Sequence, residues 1–353
     1  ATIDVGAVFV PIDIRYPRER IDHLLSDSCH DILLVDDATP AALAELETAT
    51  RIRSSSATGA VEEAFTLSIP GGCGAYLVYT SGSTGTPKGV LGSRNALANR
   101  LHWATERWGG PTSRIAKSSL SFIDGATELL TGILAGQRVV LAQDHEYADA
   151  GALAALLERS GAEQITAVGS LAAALATTST PECRSLTGWI LSGEPLTSST
   201  IDAIGHATPH ASVHNSYGSS EVAGDVAVHR VAGDPTVIGT AVNNTVLGLL
   251  DGRLLPVRTG VGGDIYVSGA QLARGYAGRP ADTAARFVAD PRVDGGRMYR
   301  TGDRARIVDD GALEFLGRDD RQVKVRGHRV ELGEVESLTA DCESVNECAV
   351  VAV

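Results

Sequence analysis

The stretch Thr80-Ser81-Gly82-Ser83-Thr84-Gly85-Thr86-Pro87-Lys88-Gly89 holds the residue types best suited to chemistry on an anion. Its glycines let the backbone turn tightly and approach a bulky group, where a Cβ would block either manoeuvre. Hydroxyls and successive N–H groups then face inward, and Lys88 adds a mobile positive charge. That is the make-up of a nest for a polyphosphate. It is not an ordinary P-loop, which places Ser or Thr directly after its lysine to reach magnesium; here Gly89 follows Lys88. The plain alternative is a Gly/Ser/Thr surface loop with an incidental lysine.

Three further stretches carry candidate chemistry. Asn215-Ser216-Tyr217-Gly218-Ser219-Ser220-Glu221 is expected after a strand end, where α/β folds gather ligands. Glu221 there could hold Mg²⁺, which favours a carboxylate together with substrate phosphate; the alternative is a polar turn with an exposed glutamate. Tyr299-Arg300-Thr301-Gly302-Asp303 is expected to end another strand, and Asp303 could accept both hydroxyls of a ribose, although Thr-Gly-Asp is also a common turn. Residues 317–332 are dense in charge yet patterned by alternating valines, a pattern that a solvated edge hairpin also gives.

These stretches need a scaffold, and the chain supplies one. Its 353 residues suffice for two or three domains, and 43% hydrophobic content is ordinary for a soluble globular protein. No apolar run reaches membrane-spanning length and no secretory signal opens the chain, so a cytoplasmic protein is expected. The net charge of −13 argues against nucleic acid or an anionic membrane as partner. Cys29, Cys73, Cys183, Cys342 and Cys348 are odd in number and lack CxxC spacing, which fits reduced thiols better than disulfides or a metal site.

Residues 8–12 read as a buried strand, 17–26 as a helix with Pro17 near its start, and 31–35 as a short strand. A short helix and a loop are expected over 40–71. Ala126, Leu129, Leu130, Ile133 and Leu134 mark an amphipathic helix. A strand over 137–141 follows, then helix 150–160, strand 164–168, helix 170–177, strand 188–191, helix 198–206 and strand 212–215. This alternation implies parallel βαβ layers to about residue 229. From 230 to 319 short strands dominate, including 245–250, 263–268, 298–301 and 312–317, and suggest a smaller β-rich subdomain. A boundary is expected at Asp319/Asp320, with a hairpin over 322–332 turned at Gly327-His328 and a helix over 333–339.

Taken in this order, the four stretches resemble the adenylate-forming superfamily, specifically the adenylation domains of nonribosomal peptide synthetases. Residues 79–89 match the phosphate loop, 215–221 the Asn-x-Tyr-Gly-x-x-Glu motif, 299–303 the Tyr-Arg-Thr-Gly-Asp motif, and 317–324 the Gly-Arg-x-Asp-x-Gln-Val-Lys hinge. Residues 5–13 and 263–276 also look like family core segments. The resemblance implies that ATP activates a carboxylic acid as acyl-adenylate and that the acyl group passes to the phosphopantetheine thiol of a peptidyl carrier protein, with an MbtH-like accessory protein as a further partner. The residues implied to bind ATP are Thr80, Ser81, Gly82, Ser83, Thr84, Gly85, Lys88, Asn215, Tyr217 (facing adenine), Gly218, Ser219, Asp303 and Arg318. Lys88 and Glu221, the latter as Mg²⁺ ligand, would serve the chemistry, and Asp320 would be the hinge to a mobile lid over 320–353.

Two departures from the family follow. Its N-terminal segment and its C-terminal Gly-Lys motif are not matched, so the lid is expected to be incomplete. Amino-acid-activating members also place Asp directly after a Phe to hold the substrate ammonium, whereas here Ile123 follows Phe122 and Asp124 comes one position later. The implied pocket adds Thr127, Ser170, Ile190, Ser192, Gly193, Ser216, Gly224 and Asp225. Desolvated carboxylates are unfavourable without a cationic partner, which favours an amine-bearing acid over a keto or hydroxy acid. Two other functions stay open on the sequence: an acyl- or aryl-CoA ligase of the same superfamily, and a catalytically incomplete domain that binds nucleotide or docks partners.

Overall fold

A computed structural model describes residues 2–29, 31–37, 39–40, 50–54, 68–82, 86–178, 184–308, 311–320, 322–340, 342, 344–345 and 348–352. Helix Arg18–Asp27 precedes Ile32–Val35 (β1), which pairs in parallel with Thr50–Arg53 (β2). Gly74–Thr80 (β3) returns antiparallel as Lys88–Ser93 (β4). The run from Ala75 to Tyr79 is apolar without a break and is buried on both faces. Ser93 then caps helix Arg94–Trp108, its hydroxyl accepting from the Ala96 N–H at 3.1 Å. The loop of residues 81–87 therefore tips a hairpin. Strand β4, which the sequence reading lacked, lies between the loop and this helix.

The βαβ half follows the expected alternation from residue 126 onward, with one further strand, β5, ahead of it that the sequence reading lacked. Ser113–Ala116 (β5), Arg138–Leu141 (β6), Gln164–Ala167 (β7), Gly188–Ser192 (β8) and Ser212–Ser219 (β9) all pair in parallel, in the order β6-β5-β7-β8-β9. Helices Ile123–Leu134, Ala150–Ser160, Gly169–Thr178 and Ser198–Ala207 run between them. Ile115, Leu153, Leu157, Ile165, Leu175, Trp189, Leu191 and Ile204 interlock as one core beneath these helices. Burying each such side chain contributes roughly 1.5–3 kcal/mol.

Gly224–Arg230 (β10) pairs antiparallel with β9, and the sheet runs on through Val237–Ala241 (β11), Thr245–Leu250 (β12), Gly263–Gly269 (β13), Arg297–Ile307 and Leu313–Arg318. Gly275–Tyr276 (β14) joins the β3–β4 hairpin instead, while Phe287–Ala289 (β15) lines the edge of Arg297–Ile307 (β16), and Leu313–Arg318 is β17. The full order is β12-β13-β16-β17-β11-β10-β9-β8-β7-β5-β6. The change of texture near residue 229 thus falls inside one mixed sheet, at the point where pairing turns from parallel to antiparallel. A second core, including Tyr76, Val90, Leu97, Val226, Ile265, Tyr276, Phe287 and Tyr299, ties the hairpin sheet to this antiparallel half. Gln322–Val325 (β18) and His328–Glu331 (β19) form a separate hairpin followed by helix Leu332–Ala340.

Several expectations need correction. Residues 8–12 are not a buried strand: Phe9 alone bridges Tyr76, and Pro11 has no N–H to extend a ladder. Within 40–71 a strand at Thr50–Arg53 appears that the sequence reading lacked, and the helix expected nearby lies outside the described residues. The motif at 215–221, expected after a strand end, starts inside β9, with only Ser220 and Glu221 beyond it, and the motif at 299–303, expected to end a strand, lies inside β16. Both pairings carry register shifts close by, between Asp225 and Ala227 on β10 and between Arg304 and Ala305 on β16, and such bulges re-aim side chains without ending a strand.

Candidate active site

At the tip of the β3–β4 hairpin the chain closes so tightly that a Cβ on Gly82 would sit 2.0 Å from the Thr86 carbonyl oxygen; only glycine fits. Ser83, Thr84 and Gly85 lie outside the described residues. Lys88 is not the mobile loop charge that its motif suggests. It opens β4, is buried, and its Nζ stands 3.1 Å from Asp282 and over the ring of Tyr276. A cavity of about 140 Å³ opens here, lined by Thr80, Ser81, Lys88, Tyr276, Asp282, Arg286 and Arg329. Three cations and three hydroxyls against one carboxylate make it an anion site. Tyr276, Asp282, Arg286 and Arg329 were not singled out as site residues from the sequence: Tyr276 ends a segment read only as family core, Asp282 and Arg286 sit between recognisable motifs, and Arg329 lay in a run readable as surface charge.

Glu221 is fully buried. Its Oε1 accepts from the Arg329 guanidinium and the Tyr276 hydroxyl, each at 2.8 Å. Burial by itself would raise its pKa, but Arg329 and these hydrogen bonds outweigh that and hold the carboxyl at about 2. Oε2 has no partner among the described residues. An orphaned buried carboxylate oxygen beside an anion cavity fits a hard divalent cation.

Asp303 is the hub on the other side. Tyr217 donates its hydroxyl to Oδ2 and Arg318 donates to Oδ1, both at 2.5 Å. Each carboxylate oxygen has a second lone pair, so two further donors can still be accepted. Arg318 also grips Asp320 with two bonds of 2.7 Å, linking the end of β17 to the first residue of the proposed lid. Asn215 stands apart: its amide donates to the Pro235 and Val237 carbonyls and laces β9 to the β10–β11 connection. Gly218 lets β10 approach, since a Cβ there would lie 1.9 Å from the Gly224 oxygen. The Ser216 and Ser219 hydroxyls have no partner among the described residues.

The implied acyl pocket is brought together in part. Asp124, Thr127, Ile190, Ser192 and Asp225 line one cavity with Arg100, Trp108, Arg114 and Glu128. Gly224 borders it, the spot a Cβ would take lying 3.5 Å from both Arg100 Nε and Asp124 Oδ1. Ile123, in contrast, is buried in the core with Val222 and Val226. Ser170 is exposed, and its N–H donates to Glu194, whose other oxygen accepts from Gly327 N–H at 2.9 Å. Gly193 packs against that same turn, and the ring of Phe122 meets His328 edge-on at 5.2 Å. Together these contacts seat the β18–β19 hairpin over the site, where the Ser81 hydroxyl also donates to the Arg329 carbonyl at 2.8 Å.

An α/β sheet with a glycine-hydroxyl hairpin loop, an anion cavity and a paired carboxylate hub defines a nucleotide-binding enzyme. The family model for the AMP-binding enzyme matches residues 1–277, and the chain belongs to that family. It is 37% identical over 352 residues to enterobactin synthase component F of Escherichia coli O157:H7, and 38% identical over 361 residues to phosphinothricin tripeptide synthetase PhsB of Streptomyces viridochromogenes. These alignments take in 95% and 99% of this chain but 27% and 30% of the relatives' lengths. Among solved structures, holo-PA1221, described as containing adenylation and PCP domains, superposes with a TM-score of 0.86 at 26% identity, over 99% of this chain and 62% of that one. The α/β fold expected from the sequence is therefore the fold of these adenylation proteins.

Proposed function

We propose that the chain activates a small carboxylic acid, an amine-bearing one, with ATP as an acyl-adenylate, and passes the acyl group to a carrier-protein phosphopantetheine thiol in nonribosomal peptide synthesis. The observation that carries this reading is the cavity where the hairpin loop, Lys88, Arg286 and Arg329 converge beside Glu221. Phosphoryl chemistry of this kind is mostly positioning and charge neutralisation, which these residues supply. Lys88 and the arginines would hold the phosphates, Asp303 the ribose with Arg318 behind it, and Tyr217 would lie along the base. Glu221 Oε2 would hold Mg²⁺, which when bound neutralises phosphate charge. The Asp303–Arg318–Asp320 chain makes Asp320 a natural pivot between a core over 1–319 and a lid over 320–353.

The relatives named as peptide synthetases, and the neighbour described as holding adenylation and PCP domains, favour a carrier protein over free coenzyme A as acceptor. An MbtH-like accessory protein and a cytoplasmic location belong to the same reading. Among the described residues no helix is long and apolar enough to cross a membrane. The test is acid-dependent exchange of pyrophosphate into ATP over a panel of amino, keto and hydroxy acids, followed by acyl transfer to a holo carrier protein or to coenzyme A. Exchange that needs no acid, or transfer to coenzyme A alone, would overturn the proposal.

A further inference from the structure

Helix Arg94–Trp108 and strand β5 give the acyl pocket a floor that none of the sequence motifs announces. Arg100 and Trp108 come from the helix and Arg114 from β5, and all three are buried against the cavity. Three carboxylates face these groups. Asp225 pairs with Arg100 and accepts from the Ser192 hydroxyl at 3.4 Å, and Glu128 stands against Arg114. Asp124 feels both Arg100 and Lys324, the latter on β18. Arg100, Arg114 and Lys324 thus balance Asp124, Glu128 and Asp225, and the floor has no net charge. A further ion buried there would lack a counter-charge, a cost that a neutral group avoids.

The hydrogen bonds of the floor are less complete than its charges. Arg100 gives Nη2 to Asp225, but its Nε and Nη1 donate to nothing among the described residues. The Trp108 indole N–H and Arg114 Nε are likewise without partners there. Against these four donors stands one carboxylate oxygen without a partner, Glu128 Oε1; its neighbour Oε2 takes the Ser118 N–H at 3.1 Å. Unmade buried donors are costly, so a ligand that meets them is favoured. The guanidinium is already held for that purpose, 5.0 Å over the ring of Trp103. Because residue 224 is glycine, no side chain covers its Nε, from which a Cβ there would stand 3.5 Å. The cavity is about 20 Å³, the room of one water or one hydroxyl.

We infer that Arg100 is a specificity-determining residue that, together with Trp108, receives a hydroxyl group at the far end of the substrate. The hydroxyl oxygen accepts from the unpartnered N–H groups, and its proton goes to Glu128 Oε1. A methyl in the same place leaves the donors bare, and an ammonium meets the guanidinium with like charge. This rests on the proposed acid activation and adds the chemical class of the side chain that the activated acid bears.

The experiment uses acyl-sulfamoyladenosines, unreactive analogues of the acyl-adenylate, in pairs that exchange hydroxyl for methyl. The acyl groups are serine against 2-aminobutanoate, homoserine against norvaline, and 3-amino-4-hydroxybutanoate against 3-aminopentanoate. Calorimetry reads the affinities, with sulfamoyladenosine itself as baseline. In at least one pair the hydroxyl member is expected to bind about 30-fold tighter. Arg100→Lys keeps a charge for Asp225 but withdraws Nε and Nη1, and is expected to bring that ratio to within about threefold of one. Trp108→Phe removes the indole N–H and keeps an aromatic ring; the ratio is expected to fall about fivefold while the methyl member binds within about threefold of wild type. Should Arg100→Lys fail to fold, Trp108→Phe decides. Equal binding within every wild-type pair, as a water never released by these donors would give, overturns the inference. So does a ratio unchanged in either folded variant, or a 2,4-diaminobutanoyl analogue that outbinds the homoseryl one. If no acyl analogue outbinds sulfamoyladenosine, the acid-activating function itself fails and this inference with it.

Discussion

Lys88 shows what burial does to a catalytic candidate. With Nζ pinned by Asp282 and roofed by Tyr276, it is held in place before any phosphate arrives. Lys88→Ala is therefore expected to weaken ATP binding by roughly 1.5–3 kcal/mol, the worth of a hydrogen bond to a charged group, and calorimetry with ATP checks this. Asp282→Asn, which frees the lysine, is expected to leave binding equal or tighter. An unchanged affinity in Lys88→Ala would remove the phosphate role. Asp124 gives the residue-scale pH prediction. Burial, then the neighbouring Asp225, raises its pKa from 3.8 to about 6, with Arg100 and Lys324 pulling the other way. A raised carboxylate pKa means that ionising it costs stability above about pH 6, and that this cost vanishes below its unfolded value near 3.8. Asp124→Asn should therefore melt higher than wild type at pH 8, by roughly 2–4 °C after allowance for partial exposure, with the gap closing towards pH 4. Melting curves that run parallel across this range would contradict it.

At the scale of elements, the β18–β19 hairpin decides whether the anion cavity is closed. Arg326 and Gly327 both have positive φ, the turn that suits a two-residue hairpin loop. A Cβ on Gly327 would stand 2.5 Å from Val168 Cγ1, so the turn can seat on Glu194 only as glycine. Gly327→Ala is expected to cost about 1–2 kcal/mol in backbone strain and to lift the hairpin. Hydrogen exchange over 322–331 should rise while exchange in the parallel core stays unchanged. Equal protection in the two proteins would mean that the hairpin is held by other contacts. Arg329 belongs to the same element, and it brings a cation to Glu221 that a bound metal would otherwise supply.

For the whole molecule, one arginine joins the large sheet to the segment that follows it. Arg318 bonds Asp303 in the sheet and Asp320 beyond it, and Arg286 approaches Asp320 at 3.5 Å. Asp320→Asn removes the charge that Arg318 grips, and Asp303→Ala removes the hub. The first should loosen the segment from residue 322 onward with ATP affinity within about threefold of wild type, since the half-exposed pair contributes only about 1 kcal/mol. The second should lower ATP affinity by roughly 1.5–3 kcal/mol with the acid affinity unchanged. Exchange and calorimetry on the same samples separate the two. If Asp320→Asn lowered ATP affinity as far as Asp303→Ala, its place as a pivot rather than a ligand would be lost.

Local signals carried much of this molecule. Alternating apolar runs and helical periodicity were enough for β6 to β9 and the helices between them, such as Ala150–Ser160, while β5 went unread. Glycine, hydroxyl and charge spacing marked Lys88, Glu221 and Asp303, because those features are local in the chain. What remained was set by contacts between residues far apart in sequence. Lys88 meets Asp282, Glu221 meets Arg329, and Arg100 meets Asp225 only after the sheets pack, and no spacing rule announces such pairs. The same holds for Asn215, whose partners lie across the sheet, and for Ile123, an apolar residue beside a pocket that core packing turned inward. Residue types determined which groups were available for chemistry. Tertiary structure decided which of their charges were already neutralised, because in a low-dielectric interior the nearest opposite charge sets what a carboxylate can still bind.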